Sequence, residues 1–264
     1  TMNKALSIAA AALIGCASIN AEAQTMIGKT TNVAAISKGD RMTPETLWAM
    51  GRVGGAAASP DGKTVVYQVG YYSVKQNKSH QMLYTVSADG KLQRTLTTTA
   101  ASETDAAWIE GGKRIAFLTK GQLWSMNADG TDRRQLTKGD IDIEGFKFSP
   151  DGKKVILIKS LPYHESIQKN PDDLPLATGR RITDLNYRQW DHYVESVAHP
   201  FVADVTENGV DDGKDIIEGE PFECPMAPFG GVEQLAWSPD SKTIAYTCRK
   251  KTGVNYAIST DSDI

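Results

Sequence analysis

The sequence predicts an all-β chain assembled from repeated blades of about four antiparallel strands, and three observations carry that reading. The turn Ser59-Pro60-Asp61-Gly62-Lys63 returns at Ser149-Pro150-Asp151-Gly152-Lys153 and again at Ser238-Pro239-Asp240-Ser241-Lys242. A degenerate copy, Ile109-Glu110-Gly111-Gly112-Lys113, lies between the first two. Every copy leads into an apolar run: Val65-Val66-Tyr67, Ile115-Ala116-Phe117-Leu118, Val155-Ile156-Leu157-Ile158 and Ile244-Ala245-Tyr246. A second turn signal recurs in the same phase, at Asp89-Gly90 and Asp129-Gly130. Each is followed by a strand ending in Leu-Thr, at Leu96-Thr97 and Leu136-Thr137.

Ser, Pro, Asp and Gly in this order suit a type I turn, in which Ser accepts at the first position, Pro presets φ and Gly closes. Such a turn between two β-favouring runs makes a hairpin. Two hairpins per repeat amount to about four short strands, the content of a β-propeller blade. The runs are apolar on successive residues, as expected of strands covered on both faces by neighbouring blades. The Lys anchors of the turns, Lys63, Lys113, Lys153 and Lys242, are spaced 50, 40 and 89 residues apart. The last interval therefore reads as one blade enlarged by an insertion at about 159–200, with Phe201-Val202-Ala203-Asp204 resuming the strand pattern. Three blades and part of a fourth are expected over 56–264.

Before the blades, residues 1–23 read as a secretion signal. Lys4 supplies a positive start, Ala5–Ile14 an apolar stretch, and Ala21-Glu22-Ala23 an A-x-A cleavage pattern. Ten apolar residues span only about 15 Å as a helix, half of a bilayer core. The expected location is periplasmic or secreted. Leu13-Ile14-Gly15-Cys16 offers the alternative of a lipoprotein anchored through Cys16. Residues 24–55 form an extension with a short helix, in which Thr43 caps, Pro44 fills the first turn and Glu45 faces the positive end. Helical spacing is also expected over Ile182–Val194. The chain stops at Ser259–Ile264, where the next strand of the fourth blade should begin, and it reads as a fragment.

Composition excludes little but excludes it firmly. A net charge of -3, from 29 basic and 32 acidic residues, gives no concentrated basic face for nucleic acid. No segment is apolar for long enough to suggest a transmembrane helix. Cleavage after Ala23 leaves Cys224 and Cys248, which either form one bridge in an oxidising compartment or are two buried small side chains.

The sequence holds no G-x-S-x-G, H-E-x-x-H or P-loop, so no catalytic residue and no metal site is assigned. The histidines His80, His164, His192 and His199 lie scattered in loops or the insertion. Asp140, Asp142 and Glu144 would share one face of a strand. Asp211-Asp212-Gly213-Lys214-Asp215 resembles a calcium loop only loosely, lacking its distal Glu. The sharper group is Trp190-Asp191-His192-Tyr193-Val194-Glu195. On a helix its two carboxylates stand one turn apart among aromatics, a constellation able to hold an ammonium. The competing reading is an amphipathic helix that buries Trp190 and Tyr193 and turns its acids to water.

The signal, the Thr-Pro-Glu helix, Arg52-Val53 leading into the first turn, and the repeats together resemble the prolyl-oligopeptidase family of serine peptidases. Further segments carrying the resemblance are Met126–Thr131, Ala177–Arg180, Ile182–Leu185, Trp190-Asp191, His199-Pro200-Phe201, Gly219-Glu220-Pro221 and Arg249–Gly253. The resemblance implies a propeller that restricts access to short peptides, above a C-terminal α/β-hydrolase domain carrying the Ser, Asp and His of the triad. It implies dipeptidyl peptidase activity without a cofactor, and allows a homodimer of the full-length protein. It further implies a substrate-binding role for the inserted segment, with Glu195 as anchor of the substrate N-terminus, Asp191 second, and Tyr193 and Trp190 beside them. The alternative is a TolB-like periplasmic propeller that binds proteins and catalyses nothing.

Overall fold

The computed structural model describes residues 41–163, 167–168, 172–179, 181–183, 188–189 and 191–264. The first described element is helix α1 (Pro44–Ala49), which forms where the sequence predicts it. Thr43 is its N-cap, and its Oγ1 accepts the Thr46 N–H at 3.2 Å, satisfying one donor that the first turn leaves open.

The first blade follows in uninterrupted order: β1 (Arg52–Ala58), β2 (Thr64–Ser73), β3 (Lys78–Ser87) and β4 (Gln93–Thr95). The second repeats it with β5 (Thr104–Ile109), β6 (Arg114–Thr119), β7 (Gln122–Asn127) and β8 (Arg134–Gln135). The third opens with β9 (Ile143–Phe148) and β10 (Lys154–Pro162), then makes an excursion. That excursion carries two small ladders, β11 (Ile167–Gln168) with β12 (Arg181–Ile182), and β13 (Arg188–Gln189) with β14 (His192–Tyr193). The return strand β15 (Ser196–Thr206) pairs with β10 from Lys154↔Asp204 to Pro162↔Ser196, so regular pairing frames residues 163–195. Short strands β16 (Gly209–Val210) and β17 (Lys214–Asp215) both pair with β15. Of a fourth blade, β18 (Leu235–Trp237) and β19 (Ile244–Tyr246) form a hairpin. Helix α2 (Gly253–Ile258) follows, and Cys248 bridges to Asp263. The architecture is all-β, with antiparallel propeller-type blades and few helices.

The repeated turns owe their shape to a local circuit. In the first, Ser59 Oγ donates to Asp61 Oδ1 at 2.6 Å and accepts the Thr64 N–H at 3.0 Å, while Asp61 Oδ1 accepts the Lys63 N–H at 3.1 Å. Ser149 with Asp151 and Ser238 with Asp240 make the same bonds. Gly62 and Gly152 stand at φ 69° and 71°, where a side chain is strained; Ser241 takes that place in the last copy at φ 61°. The second hairpin of the first blade reuses the circuit through Ser87 and Asp89, with bonds of 2.6 and 3.1 Å. The Leu-Thr marks are equally physical. Thr97 Oγ1 accepts the Leu83 N–H at 2.8 Å, and Thr137 Oγ1 accepts the Leu123 N–H at 2.9 Å. Each threonine thereby closes its strand against the one before.

Contacts divide the chain into two compact units, one running to Lys120 and including Trp124–Arg134, the other comprising Gly121–Leu123 and Gln135–Ile264. The first unit buries Val66, Leu83 and Leu96 of one blade against Ile115, Phe117 and Met126 of the next. The second buries Ile156 and Ile158 with Ile217, Phe222, Cys224, Leu235 and Cys248. Continuous apolar runs are buried as such: every residue of β6 is buried, as are Val155–Ile158 of β10.

Two local expectations are corrected. The described residues between 182 and 194 are strands and a turn rather than the expected helix, because backbone pairing of β13 with β14 competes successfully with a short amphipathic pattern. Asp140 and Asp142 precede β9 and do not alternate along it with Glu144; the bend there places Asp142 against Gly121. The acids at 211–215 shape a turn: Asp211 Oδ1 accepts the Gly213 and Asp204 N–H groups at 2.9 and 3.1 Å.

Candidate substrate-recognition segment

The segment expected to carry recognition is built on the third blade. Pairing of β10 with β15 continues one step past Pro162↔Ser196, where the Tyr163 N–H donates to the Glu195 carbonyl at 2.9 Å. Tyr163, Val194 and Val197 bury their side chains together in a small cluster. That apolar anchor fixes which way the chain faces. Val194 points in, and Tyr193 and Glu195 on either side are exposed, as the period-two alternation of extended chain requires. Tyr193 pairs with Arg188 across the β13–β14 ladder, and Asp191 is exposed in the connecting turn. Trp190 lies outside the described residues.

This geometry changes what the carboxylates can do. One helical turn would bring Asp191 and Glu195 to within about 6 Å. Here Asp191 stands in the β13–β14 turn and Glu195 follows the end of β14, with the exposed Tyr193 between them in the chain, so no helical turn sets their spacing.

Other titratable groups are engaged structurally. His199, buried on β15, has its Nδ1 2.7 Å from Asp215 Oδ2, and Asp215 Oδ1 accepts the Ile217 N–H at 2.9 Å. His199 Nε2 has no hydrogen-bond partner among the described residues, so no hydroxyl or thiol nucleophile sits against it there. Lys159, opposite His199 in the register, donates to the Asp212 carbonyl at 2.7 Å, and its burial pulls its pKa down. Cys224 and Cys248 are unbridged and fully buried; burial pushes the Cys224 thiol up to about 12. Sequence reasoning missed a buried ion pair in the first unit. Glu103, 1% exposed, pairs with Arg133 and accepts the Thr97 hydroxyl at 2.7 Å. Its signal was weak, since Glu103 and Arg133 sit on separate segments that meet only in the fold. Among the described residues there is no cluster of metal-binding side chains and no helix long and apolar enough to cross a membrane.

Consecutive antiparallel blades, with an excursion in the third, define a propeller-type protein related by sequence to the serine peptidases of the prolyl-oligopeptidase family. The relationship runs through dipeptidyl-peptidase 5. The chain is 46% identical to dipeptidyl-peptidase 5 of Porphyromonas gingivalis over 268 residues, covering 100% of this chain and 38% of that protein. It is 44% identical to dipeptidyl-peptidase 5 of Porphyromonas endodontalis over 233 residues, covering 86% and 34%. The chain thus spans little more than a third of the length of the curated relatives it matches. Among solved structures, acylaminoacyl peptidase of Pyrococcus horikoshii aligns with 65% of this chain and 26% of its own, at 13% identity and a TM-score of 0.47. No family model matches the chain.

Proposed function

We propose that this chain is the propeller part of an exported serine dipeptidyl peptidase, which removes dipeptides from the free N-termini of short peptides. One observation carries the reading: 46% identity to a dipeptidyl-peptidase 5 along the whole chain. The hydrolytic chemistry is assigned to an α/β-hydrolase domain outside these residues, and no cofactor enters it. The blades restrict access to that chemistry, and export follows from the N-terminal signal, with a mature N-terminus at Gln24. Intact mass of the secreted protein tests the last point; a diacylated species starting at Cys16 would replace it with membrane anchoring.

An exopeptidase that counts two residues from the N-terminus needs a fixed group for the α-ammonium. Glu195 is the better candidate, because it stands beside the buried Val194 and its own carbonyl is held by Tyr163. Asp191, in the β13–β14 turn, is second; Tyr193 lines the approach. A charge-assisted hydrogen bond of this kind is worth about 1.5–3 kcal/mol. Its loss lowers kcat/KM by roughly 10- to 100-fold for free-amine substrates and hardly at all for N-blocked ones. In the full-length enzyme, Glu195→Gln should narrow the ratio of rates on free and blocked substrates. If Glu195→Gln and Asp191→Asn both leave that ratio unchanged, the anchor lies elsewhere.

A further inference from the structure

The hairpin of β2 and β3 overshoots its own sheet. β1 pairs with β2 only as far as Gly70, and on the other side residues 96–103 accompany β3 only as far as His80, so residues 72–79 project as a two-stranded arm. Helix α1 lies against this arm, with the Trp48 and Tyr72 rings 5.5 Å apart, edge to face. Between them is a cavity of about 350 Å³, lined by Trp48, Tyr72, Val74, Asn77, Lys78 and Ser79 among others. Trp48 is 41% exposed and Val74 69%, an apolar floor that the described residues leave open.

The charge around this floor is one-sided. The Arg52 guanidinium lies 4.2 Å from the centre of the Tyr72 ring and 5.0 Å from that of Trp48. That stacking holds both rings and the cation in place. Lys78 lines the cavity and Lys75 belongs to the turn that closes the same hairpin; with Arg52 they make no ion pair with a carboxylate among the described residues. The acidic residue of α1 is Glu45. Ser79 and Asn77 add side-chain donors, and the Lys78–Ser79 backbone has no neighbouring strand on its β4 side.

We propose that this cleft docks an acidic peptide segment. An extended chain laid along the open edge of β3 alternates its side chains. It can set an Asp or Glu at Lys78 while the apolar residue next to it, on the face of Ser79 and Tyr72, covers Trp48. Three unpaired cations favour an anionic partner by complementarity of charge, and the strand edge favours one with a peptide backbone. The inference stands independently of the peptidase reading.

The test uses the full chain and a fluorescent ten-residue peptide alternating Glu with Leu, against the same peptide with Gln in place of Glu. The acidic peptide should bind about tenfold or more tightly than the Gln version, and salt should weaken it. Lys78→Glu, a change at an exposed position that leaves the fold intact, should weaken it by about tenfold; Trp48→Ala should do likewise. Equal binding of the two peptides, no binding of either, or indifference to Lys78→Glu would overturn the proposal. Displacement by an oligo-uronic acid at lower concentration than by the unlabelled peptide would overturn it too, in favour of an anionic saccharide.

Discussion

The indole N–H of Trp237 donates to the carbonyl of Lys147 at 3.0 Å. Trp108 makes the same bond to Ala57 at 2.9 Å. Each tryptophan stands five residues before the Lys of its own turn, and each carbonyl six residues before the Lys of the preceding one. The two bonds are copies of one device that staples a blade to its predecessor. The turns themselves touch in the same register: the Asp151 N–H donates to Ser241 Oγ at 3.1 Å, and Gly112 faces Pro60 closely enough that a Cβ would come to 3.0 Å.

Trp237→Phe keeps most of the packing and deletes the donor. It should lower the free energy of unfolding by about 0.5–1.5 kcal/mol, the usual net value of a hydrogen bond. Trp108→Phe should do the same in the first unit. Urea unfolding of the two single variants measures this; an unchanged midpoint in both would show that the indole acts by packing alone.

The turn aspartates make a prediction about acid. Asp61, Asp151 and Asp240 have pKa values below the ordinary 3.8, first because of the serine hydroxyl and then because of the Lys N–H. A lowered folded pKa contributes stability that is present above pH 3.8 and is lost as pH falls through the folded value. The turns should therefore loosen only below pH 4. Asn at all three positions should flatten that part of the stability–pH curve, and an equally steep acid transition in the triple variant would contradict the assignment.

Glu103 behaves oppositely. Burial raises its pKa, although the Thr97 hydroxyl and Arg133 work against that rise. A raised folded value means that the folded state keeps a proton the unfolded chain releases, so stability is complete below the ordinary carboxylate range and declines as pH rises through the folded value. Arg133→Ala leaves a buried charge without its partner and should cost about 3–5 kcal/mol near neutral pH. The double variant with Glu103→Gln should recover much of it. Thermal unfolding at pH 5 and pH 8 separates the two effects.

Cys224 should be inert in the folded protein. With its thiol pushed up to about 12 and its side chain fully buried, thiolate is scarce and access is closed. Alkylation at pH 8, mapped by mass spectrometry, should label Cys224 and Cys248 only after denaturant is added. Labelling at native rates like those of a free thiol would show that this core opens.

How much of this was legible in the sequence depends on the range of the interaction. The Ser-Pro-Asp turns were legible because their circuit joins residues two to five positions apart, and the same chemistry caps α1 through Thr43 and Thr46. The reuse of that circuit at Ser87 and Asp89 escaped notice because Ala88 stands where Pro stands in the other copies. Helix α2, for which the sequence suggested no helix, carried no strong local signal; its N-cap Thr252 makes no side-chain capping bond.

The sequence by itself determined the blades, because a turn and the apolar runs flanking it are local facts that repeat at intervals of about 40 or 50 residues. Only the tertiary structure decided how Asp191, Tyr193 and Glu195 are presented. Over a dozen residues a helical and an extended pattern are nearly equal in local preference. The balance was tipped from outside the segment, by β13 pairing with β14 and by Tyr163 and Val197 covering Val194. The same holds for Glu103 and Arg133, which lie on segments that sequence spacing does not relate. A buried carboxylate needs its partner, but which arginine supplies it is settled where two blades pack face to face.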